Sequence, residues 1–171
     1  MADWPGPIKS IQRGTITLSS PDAAVTATVT EVDMQNTTLR LCGLRTDNTS
    51  GASAYARIVL TNSTTITATR IGTSNTVIVN YELTEYYPGI IKSIQRGTIT
   101  LAAAVSSNTA SVTEVNMNKA EVFNLGFSTS VHETANHLSC NLTLTNSTTI
   151  TAQRSGTTPE IIISYELVQK Y

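Results

Sequence analysis

The chain has 171 residues, of which 40% are hydrophobic and 13% charged, and its formal net charge is -1 at pH 7. The near-neutral charge and the lack of a Lys/Arg run exclude the basic surface of a nucleic-acid-binding protein, and no apolar stretch is long enough to cross a membrane. Thirty residues are threonine, a composition typical of β-strands. We therefore expect a soluble all-β protein.

Taken in chain order, short segments of alternating polarity predict six strands in the first half of the chain. The segment "TVIVNYEL" shows the alternation most clearly, because every second residue from Val77 to Leu83 is apolar. Between such segments lie turn sequences rich in Ser, Asn, Asp, Thr and Gly. The predicted strands cover residues 8–18, 24–34, 38–46, 54–61, 64–71 and 76–84.

The second half of the chain repeats the first. The string "IKSIQRGTITL" occurs at 8–18 and again, unchanged, at 91–101, and "LTNSTTITATR" recurs near the end as "LTNSTTITAQR". The offset between equivalent residues is 83, and it becomes 84 after a one-residue insertion that follows Thr129. We predict two tandem copies of one six-stranded β-sandwich or barrel-like module: a first repeat of residues 1–86 and a second repeat of residues 87–171.

Motifs of enzymes and metal sites are weak. In "HETANH" the residues His132 and His137 are five positions apart in a Thr/Ser-rich loop, whereas a zincin helix needs a spacing of four. Glu31 and Asp33 share a face of the predicted strand 24–34, but the second repeat has Asn116 in place of Asp33, so surface pairing with Arg or Lys is expected. We predict no enzyme activity, no metal and no cofactor.

The two cysteines, Cys42 and Cys140, fall on non-equivalent strands of the two repeats. We expect both to be small buried hydrophobic residues without a disulfide between them. The Asn-Ser-Thr sequences at Asn62 and Asn146 are expected to form turns between strands.

The repeated string contains the candidate site residues. Gly14 and Gly97 interrupt a strand pattern, which predicts a bulge or a close backbone approach, and Arg13 and Arg96 beside them are long hydrogen-bond donors. Either the string is only the first strand of a duplicated module, or it anchors the module to a partner surface. For the second case the candidate assembly contacts are Arg13, Arg96, Gln12, Gln95, Lys9 and Lys92.

The strings "PGIIKSIQRGTITL", "VTEVN", "LGFST", "LTNSTTITAQR" and "ISYELVQKY" together resemble a module of virion structural proteins of tailed bacteriophages. The resemblance covers nearly the whole chain, once per repeat. It implies a part of the virion that is made in the host bacterial cytoplasm and binds other virion proteins, such as the major capsid or tail protein. One departure is Cys140-Asn141-Leu142 in place of Ala56-Arg57-Ile58, so a role of Arg57 is not shared by both repeats.

The function expected from these observations is that of a non-enzymatic capsid decoration or accessory protein. The alternative is a receptor- or carbohydrate-binding module of a tail fibre or head fibre, which needs an exposed aromatic platform. A homo-oligomer is expected, with a trimer of six modules favoured over a dimer of four. The aromatic candidates for the alternative are Trp4, Tyr55, Tyr86, Tyr87 and Tyr171.

Overall fold

The computed structural model describes residues 6–47, 53–129 and 140–171, and these contain twelve β-strands, one turn of 3-10 helix and no α-helix. The all-β prediction is confirmed. The strands are β1 (Ile8–Leu18), β2 (Ala24–Thr28), β3 (Thr37–Thr46), β4 (Arg57–Asn62), β5 (Thr65–Thr69), β6 (Val77–Tyr86), β7 (Ile91–Leu101), β8 (Ser107–Ser111), β9 (Ala120–Thr129), β10 (Cys140–Asn146), β11 (Thr149–Arg154) and β12 (Ile161–Lys170); the 3-10 turn is Met117–Lys119.

The predicted strands of the first repeat agree with β1 to β6 to within two residues, except that β4 begins at Arg57, three residues after its predicted start, and that β2 ends early. This strand ends at Thr28, whereas the prediction extended it to residue 34. Beyond it, the N–H groups of Val29 and Val32 donate to carbonyls of the β4–β5 turn, each at 2.9 Å. The two valine side chains stay buried, so the apolar pattern continues although the backbone has left the sheet.

Within the described ranges, all strand pairs are antiparallel, and they form three sheets. One sheet has the order β1-β6-β3 and another the order β10-β11-β8. The third has six strands in the order β2-β5-β4-β9-β12-β7. Its two halves are joined at β4 and β9, where Arg57 pairs with Gly126.

The strand pairs of the second repeat match those of the first. The set β1-β6-β3 corresponds to β7-β12-β9, and β2-β5-β4 corresponds to β8-β11-β10. The registers also agree, because Arg13 lies opposite Glu82 as Arg96 lies opposite Glu166. Equivalent residues therefore have equivalent strand neighbours within their own repeat.

Two clusters of buried apolar side chains form the core. The buried members of the second cluster all belong to the second repeat. The first cluster contains the predicted inward face of β6, from Val77 to Leu83, and its buried members come from the first repeat with one exception. The exception is Leu125 of β9, which is 1% exposed and packs into the core of the other repeat.

The glycine of the repeated string lies beneath a tyrosine ring. A Cβ atom on Gly14 would be 2.5 Å from the Tyr81 hydroxyl oxygen, and one on Gly97 would be 2.6 Å from that of Tyr165. Each tyrosine is the cross-strand partner of its glycine. The predicted close approach is confirmed, whereas the register irregularity of β1 falls between Ile8 and Ser10.

A buried arginine braces the loops at one end of each repeat. Arg70 is 2% exposed and donates to carbonyl oxygens of Ser19, Asp22 and Asn75 at 2.8–2.9 Å. Its equivalent, Arg154, donates in the same way to Val105, Ala102, Thr157 and Pro159. Burial lowers the pKa of both guanidinium groups, and the surrounding carbonyl dipoles hold the charge in place.

Candidate functional site at the contact between the repeats

Arg96 and Glu166 form an ion pair on neighbouring strands β7 and β12. Arg96 Nε lies 2.8 Å from Glu166 Oε2, and the side chains are 15% and 0% exposed. The remaining polar atoms of both side chains form hydrogen bonds with backbone groups of the first repeat. Arg96 Nη1 donates to the Met34 carbonyl at 3.1 Å and Nη2 to the Thr37 carbonyl at 2.6 Å, while Glu166 Oε1 accepts from the Leu39 N–H at 3.0 Å.

These three bonds bind the edge of β3, together with Met34 in the turn before it, to the outer face of β7 and β12. All are charge-assisted, and they satisfy backbone groups that β3 presents away from its own sheet. Burial raises the pKa of Glu166, although the charge of Arg96 and the N–H of Leu39 act in the opposite direction. The arrangement can fasten a strand edge to a sheet face.

Aromatic and apolar contacts surround the ion pair. The Arg40 guanidinium carbon lies 4.8 Å from the centre of the Phe123 ring, a distance that allows a cation–π interaction. The rings of Tyr55 and Phe127 stack with centroids 4.4 Å apart. Both contacts join the first repeat to the second, and with Leu125 they make the contact between the repeats a packed interface.

Backbone also meets backbone at this interface. Gly126 has φ +91, and a Cβ there would collide with the Ala56 carbonyl. Next to it, Arg57 Nη1 lies 3.4 Å from Ser164 Oγ, and burial lowers the pKa of Arg57. Arg57 thus has a contact to the second repeat, whereas its equivalent Asn141 is exposed on β10, as the sequence departure at this position suggested.

The predicted site residues divide into three pairs. Arg13 forms the same ion pair as Arg96, with Nε 2.7 Å from Glu82 Oε2, but its side chain is 66% exposed. Both arginines thus donate to a carboxylate on the neighbouring strand. Only Arg96 also reaches the other repeat.

The glutamines bind within their own repeat. The side-chain amide of Gln12 donates to the Thr30 carbonyl at 3.0 Å and accepts from the Thr30 N–H at 2.7 Å. Gln95 makes the same two bonds to Thr113. In this way the glutamine side chain fastens the segment that follows the second strand of each repeat.

The lysines differ between the repeats. Lys9 Nζ lies 2.9 Å from Glu85 Oε1, and Glu85 is buried while it also accepts from Ser10 Oγ and the Asp33 N–H. Burial opposes its ionisation, but these hydrogen bonds and the lysine charge hold the pKa of Glu85 below its usual value. Lys92 is exposed, and Gln169 occupies the position equivalent to Glu85.

Several other expectations need correction. Cys42 is exposed and Cys140 is half-buried, so the prediction of two buried cysteines is wrong for Cys42; both are free, as expected. Burial raises the pKa of the Cys140 thiol to about 11. Glu31 and Asp33 lie beyond β2 and form no carboxylate pair on a strand, because Asp33 accepts from Gln35 and Asn36 in a local turn.

The Asn-Ser-Thr turns are confirmed. Asn62 Oδ1 accepts from the Thr64 N–H at 2.9 Å, and Asn146 Oδ1 accepts from the Thr148 N–H at the same distance. The motif residues His132 and His137 lie outside the described residues, as does Trp4.

Glu166, Leu125 and Phe123 are the interface residues that sequence reasoning missed. Glu166 lies opposite Arg96 in a register that alternation alone does not provide. Leu125 had a visible signal, because the first repeat has Cys42 at the equivalent position. When one repeat has a large apolar residue where the other has a small one at the equivalent position, the two positions are expected to differ in burial.

Within the described part of the chain, no group of three or more His, Cys, Asp or Glu side chains could hold a metal ion. The same residues include no helix long and apolar enough to span a membrane. Comparison of the chain with protein-family models, with curated proteins and with solved structures gives no match. We therefore infer the function from the geometry of the interface and from the repeat.

Proposed function

We propose that the protein is a non-enzymatic structural component of a tailed phage virion, a capsid decoration or accessory protein that binds the particle shell. The observation that supports the proposal is a contact made by the repeated string "IKSIQRGTITL". In the second repeat its arginine, with Glu166, binds three backbone groups of another β-unit. A surface that fastens one β-unit to the next is what a protein of a repetitive particle requires.

The architecture that we propose is two tandem six-stranded β-sandwich modules, residues 1–86 and 87–171. Equal strand order and equal register in the two halves support this division. The core clusters support it too, since among the described residues Leu125 is the one fully buried member that crosses the boundary. A module of this size buries a smaller fraction of its surface than a larger domain does, so docking on a neighbour adds useful burial.

The partners that we propose are the major capsid or tail protein and further copies of this chain. Three chains would present six modules, which suits a six-fold or quasi-three-fold feature of a shell, and we favour this trimer over a dimer with four modules. The protein would act in the virion after synthesis in the host cytoplasm.

Localisation of the protein in purified virions tests this proposal. Particles of the phage that encodes the chain are purified and analysed by mass spectrometry, and the density of the protein is located in a particle reconstruction. We expect many copies per particle at symmetric positions on the shell. Absence from particles, or one chain at a site without a neighbour of its own kind, contradicts the proposal.

The fibre-tip alternative has less support in the described residues. Tyr55 is engaged in stacking on Phe127, and Tyr86 is half-buried at the end of β6. Tyr87 and Tyr171 are 39% and 67% exposed. A glycan array and a cell-binding assay test this alternative, and specific binding in either assay would favour it over a shell position.

A further inference from the structure

We propose that the first repeat carries a docking site for a second copy of this chain, whose second repeat binds there head to tail. The site is the open face, defined as Arg13, Cys42, Asn80 and Glu82 on β1, β3 and β6. The inference deepens the self-assembly part of the proposed function and rests on that part alone. It does not require that the assembly be part of a virion.

The open face has the same ion pair as the occupied interface. The Nε–Oε2 distance is 2.7 Å in Arg13–Glu82 and 2.8 Å in Arg96–Glu166. In the second repeat the remaining polar atoms of the pair bind backbone of the first repeat. In the first repeat the same atoms belong to side chains that are 66% and 26% exposed. The pair is therefore arranged for binding but faces solvent.

A groove accompanies the exposed pair. It has a volume of about 390 Å³ and is lined by the open face together with Gly14, Thr15 and Tyr81. The residues equivalent to Cys42, Asn80 and Glu82 are at most 1% exposed, because the first repeat covers them. They are Leu125, Ser164 and Glu166. The groove on the first repeat is thus equivalent to the surface of the second repeat that the first repeat covers.

The second repeat presents the matching edge, defined here as the free edge of residues 117–122. Met117, equivalent to Met34, is 45% exposed. Val122 lies opposite Leu167, the same register in which Leu39 lies opposite Leu83. The N–H of Val122 therefore points away from β12, as the N–H of Leu39 points away from β6 toward Glu166.

The expected bonds follow from this equivalence. The Val122 N–H should donate to Glu82 Oε1 of the neighbouring chain, and the two Nη groups of Arg13 should donate to the carbonyls of Met117 and Ala120. The corresponding bonds of the occupied interface are 2.6–3.1 Å long. In a single chain Arg13 and Met117 are exposed, and Glu82, Ala120 and Val122 are half-buried, so the contact needs no unfolding.

The interface between the repeats is head to tail, not two-fold. The pair Arg96–Glu166 contacts the edge of the first repeat, whereas Arg13–Glu82 is exposed and does not contact the free edge in the same chain. Such a contact leaves one face and one edge free, so that further copies can add until a ring closes or a filament forms. Arg40 and Phe123 are equivalent positions that touch each other, which places the axis relating successive units near them.

Several substitutions distinguish the new contact from the occupied one, and two of them bear directly on its strength. Cys42 replaces Leu125, so less apolar surface fills the groove. Glu121 replaces Thr38, which is 2% exposed, but Lys170 Nζ lies 2.9 Å from Glu121 Oε1 and supplies a compensating charge. We therefore expect the contact between chains to be weaker than the contact within the chain.

The native cysteines provide the test. In the occupied interface the residues equivalent to Cys42 and Cys140 are Leu125 and Ala56, which share one buried cluster. Gly126, the chain neighbour of Leu125, lies so close to Ala56 that a Cβ on it would collide with the Ala56 carbonyl. Cys42 of one chain should therefore lie beside Cys140 of the next. Purified protein at about 1 mM, a concentration that reveals weak association, is treated with dissolved oxygen and a copper–phenanthroline catalyst, so that O₂ takes up the two electrons and two protons that a thiol pair loses on forming a disulfide. The reaction is run at about pH 9, because the raised pKa of Cys140 leaves little of the reactive thiolate at lower pH.

We expect disulfide-linked dimers and larger species on a non-reducing gel, with a Cys42–Cys140 peptide pair by mass spectrometry. Cys42→Ser and Cys140→Ser should each abolish them. Asn80→Arg, which fills the groove at a surface position, should reduce the linked species at least tenfold. The matched control is Thr15→Arg. Thr15 also lines the groove, but its equivalent Thr98 remains exposed to solvent at the occupied interface, so this variant should form the disulfide link like the wild type.

Sedimentation of the protein at the same concentration provides a second measurement. Species larger than one chain that Asn80→Arg converts to single chains support the docking site. Single chains without a Cys42–Cys140 link, or linking that Asn80→Arg leaves unchanged, overturn it. If the docking site is overturned, the proposed place in the virion is still tested by the particle experiment. If the protein is absent from particles, the docking site is not contradicted, so the two proposals can fail independently.

Discussion

The ion pairs Arg13–Glu82 and Arg96–Glu166 have the same residues, the same register and nearly the same distance, but their environments differ. The first pair is exposed, and the second lies beneath another repeat. An exposed pair contributes little to folding stability, whereas loss of one partner from a buried pair leaves an uncompensated charge. The comparison teaches that the role of the repeated string depends on what covers it.

The largest difference is expected from the arginines themselves. Arg96→Ala should lower the free energy of unfolding by about 3–5 kcal/mol, because Glu166 would remain buried without its partner. Arg13→Ala should lower it by about 0–1 kcal/mol. Chemical denaturation at low protein concentration measures both values. Equal losses in the two variants would contradict the buried interface.

Leu125 and Cys42 provide a second matched pair. Leu125→Ala should cost about 2–5 kcal/mol, since the side chain fills a cavity in the core of the first repeat. Cys42→Ala should change stability by less than about 0.5 kcal/mol, because the equivalent side chain is exposed. Thermal unfolding of the two variants gives the comparison, and a small loss for Leu125→Ala would show that the repeats do not share a core.

The glycines of the repeated string should behave alike in both repeats. Gly14→Ala and Gly97→Ala each place a methyl group against a tyrosine ring, so each should cost about 1–3 kcal/mol. Tyr81→Phe in the Gly14→Ala background should recover part of the loss by removing the nearest atom. Melting temperatures test this similarity, and a cost confined to one repeat would contradict it.

The smallest effect is expected in the pH dependence, where two buried carboxylates should act in opposite directions. The pKa of Glu85 is lowered, so its contribution is present above its ordinary pKa and is lost as the pH falls through the lower folded value. The pKa of Glu166 is raised, so its contribution decreases as the pH rises through the higher folded value.

Urea unfolding of Glu85→Gln and Glu166→Gln between about pH 3 and pH 7 measures these signs. Relative to the wild type, Glu85→Gln should lose more stability at the higher pH. Glu166→Gln should show the reverse trend. Parallel curves for the two variants would contradict the assigned burial and hydrogen bonding.

From the sequence we could predict the all-β class, most strand bounds of the first repeat and, as one of two alternatives, the close approach at Gly14. Period-two alternation and turn residues are local properties, so they can be read without knowledge of distant contacts. The prediction that strand 24–34 continues to residue 34 was wrong, because a local pattern does not show where the backbone hydrogen bonds go. Val29 and Val32 are buried as in a strand, but their hydrogen bonds go to a turn that is remote in sequence.

Which copy of the repeated string is covered depends on packing between segments far apart in the chain, and the local sequence does not reveal it. Arg13 and Arg96 lie in identical eleven-residue contexts, so no local pattern distinguishes the exposed arginine from the one that binds Met34 and Thr37. The distinction arises because β3 of the first repeat packs on β7 and β12 of the second through contacts between residues far apart in the chain. Burial by a distant segment then changes the strength of the same charged groups, because removal of water increases both the cost of an unpaired charge and the value of its partner.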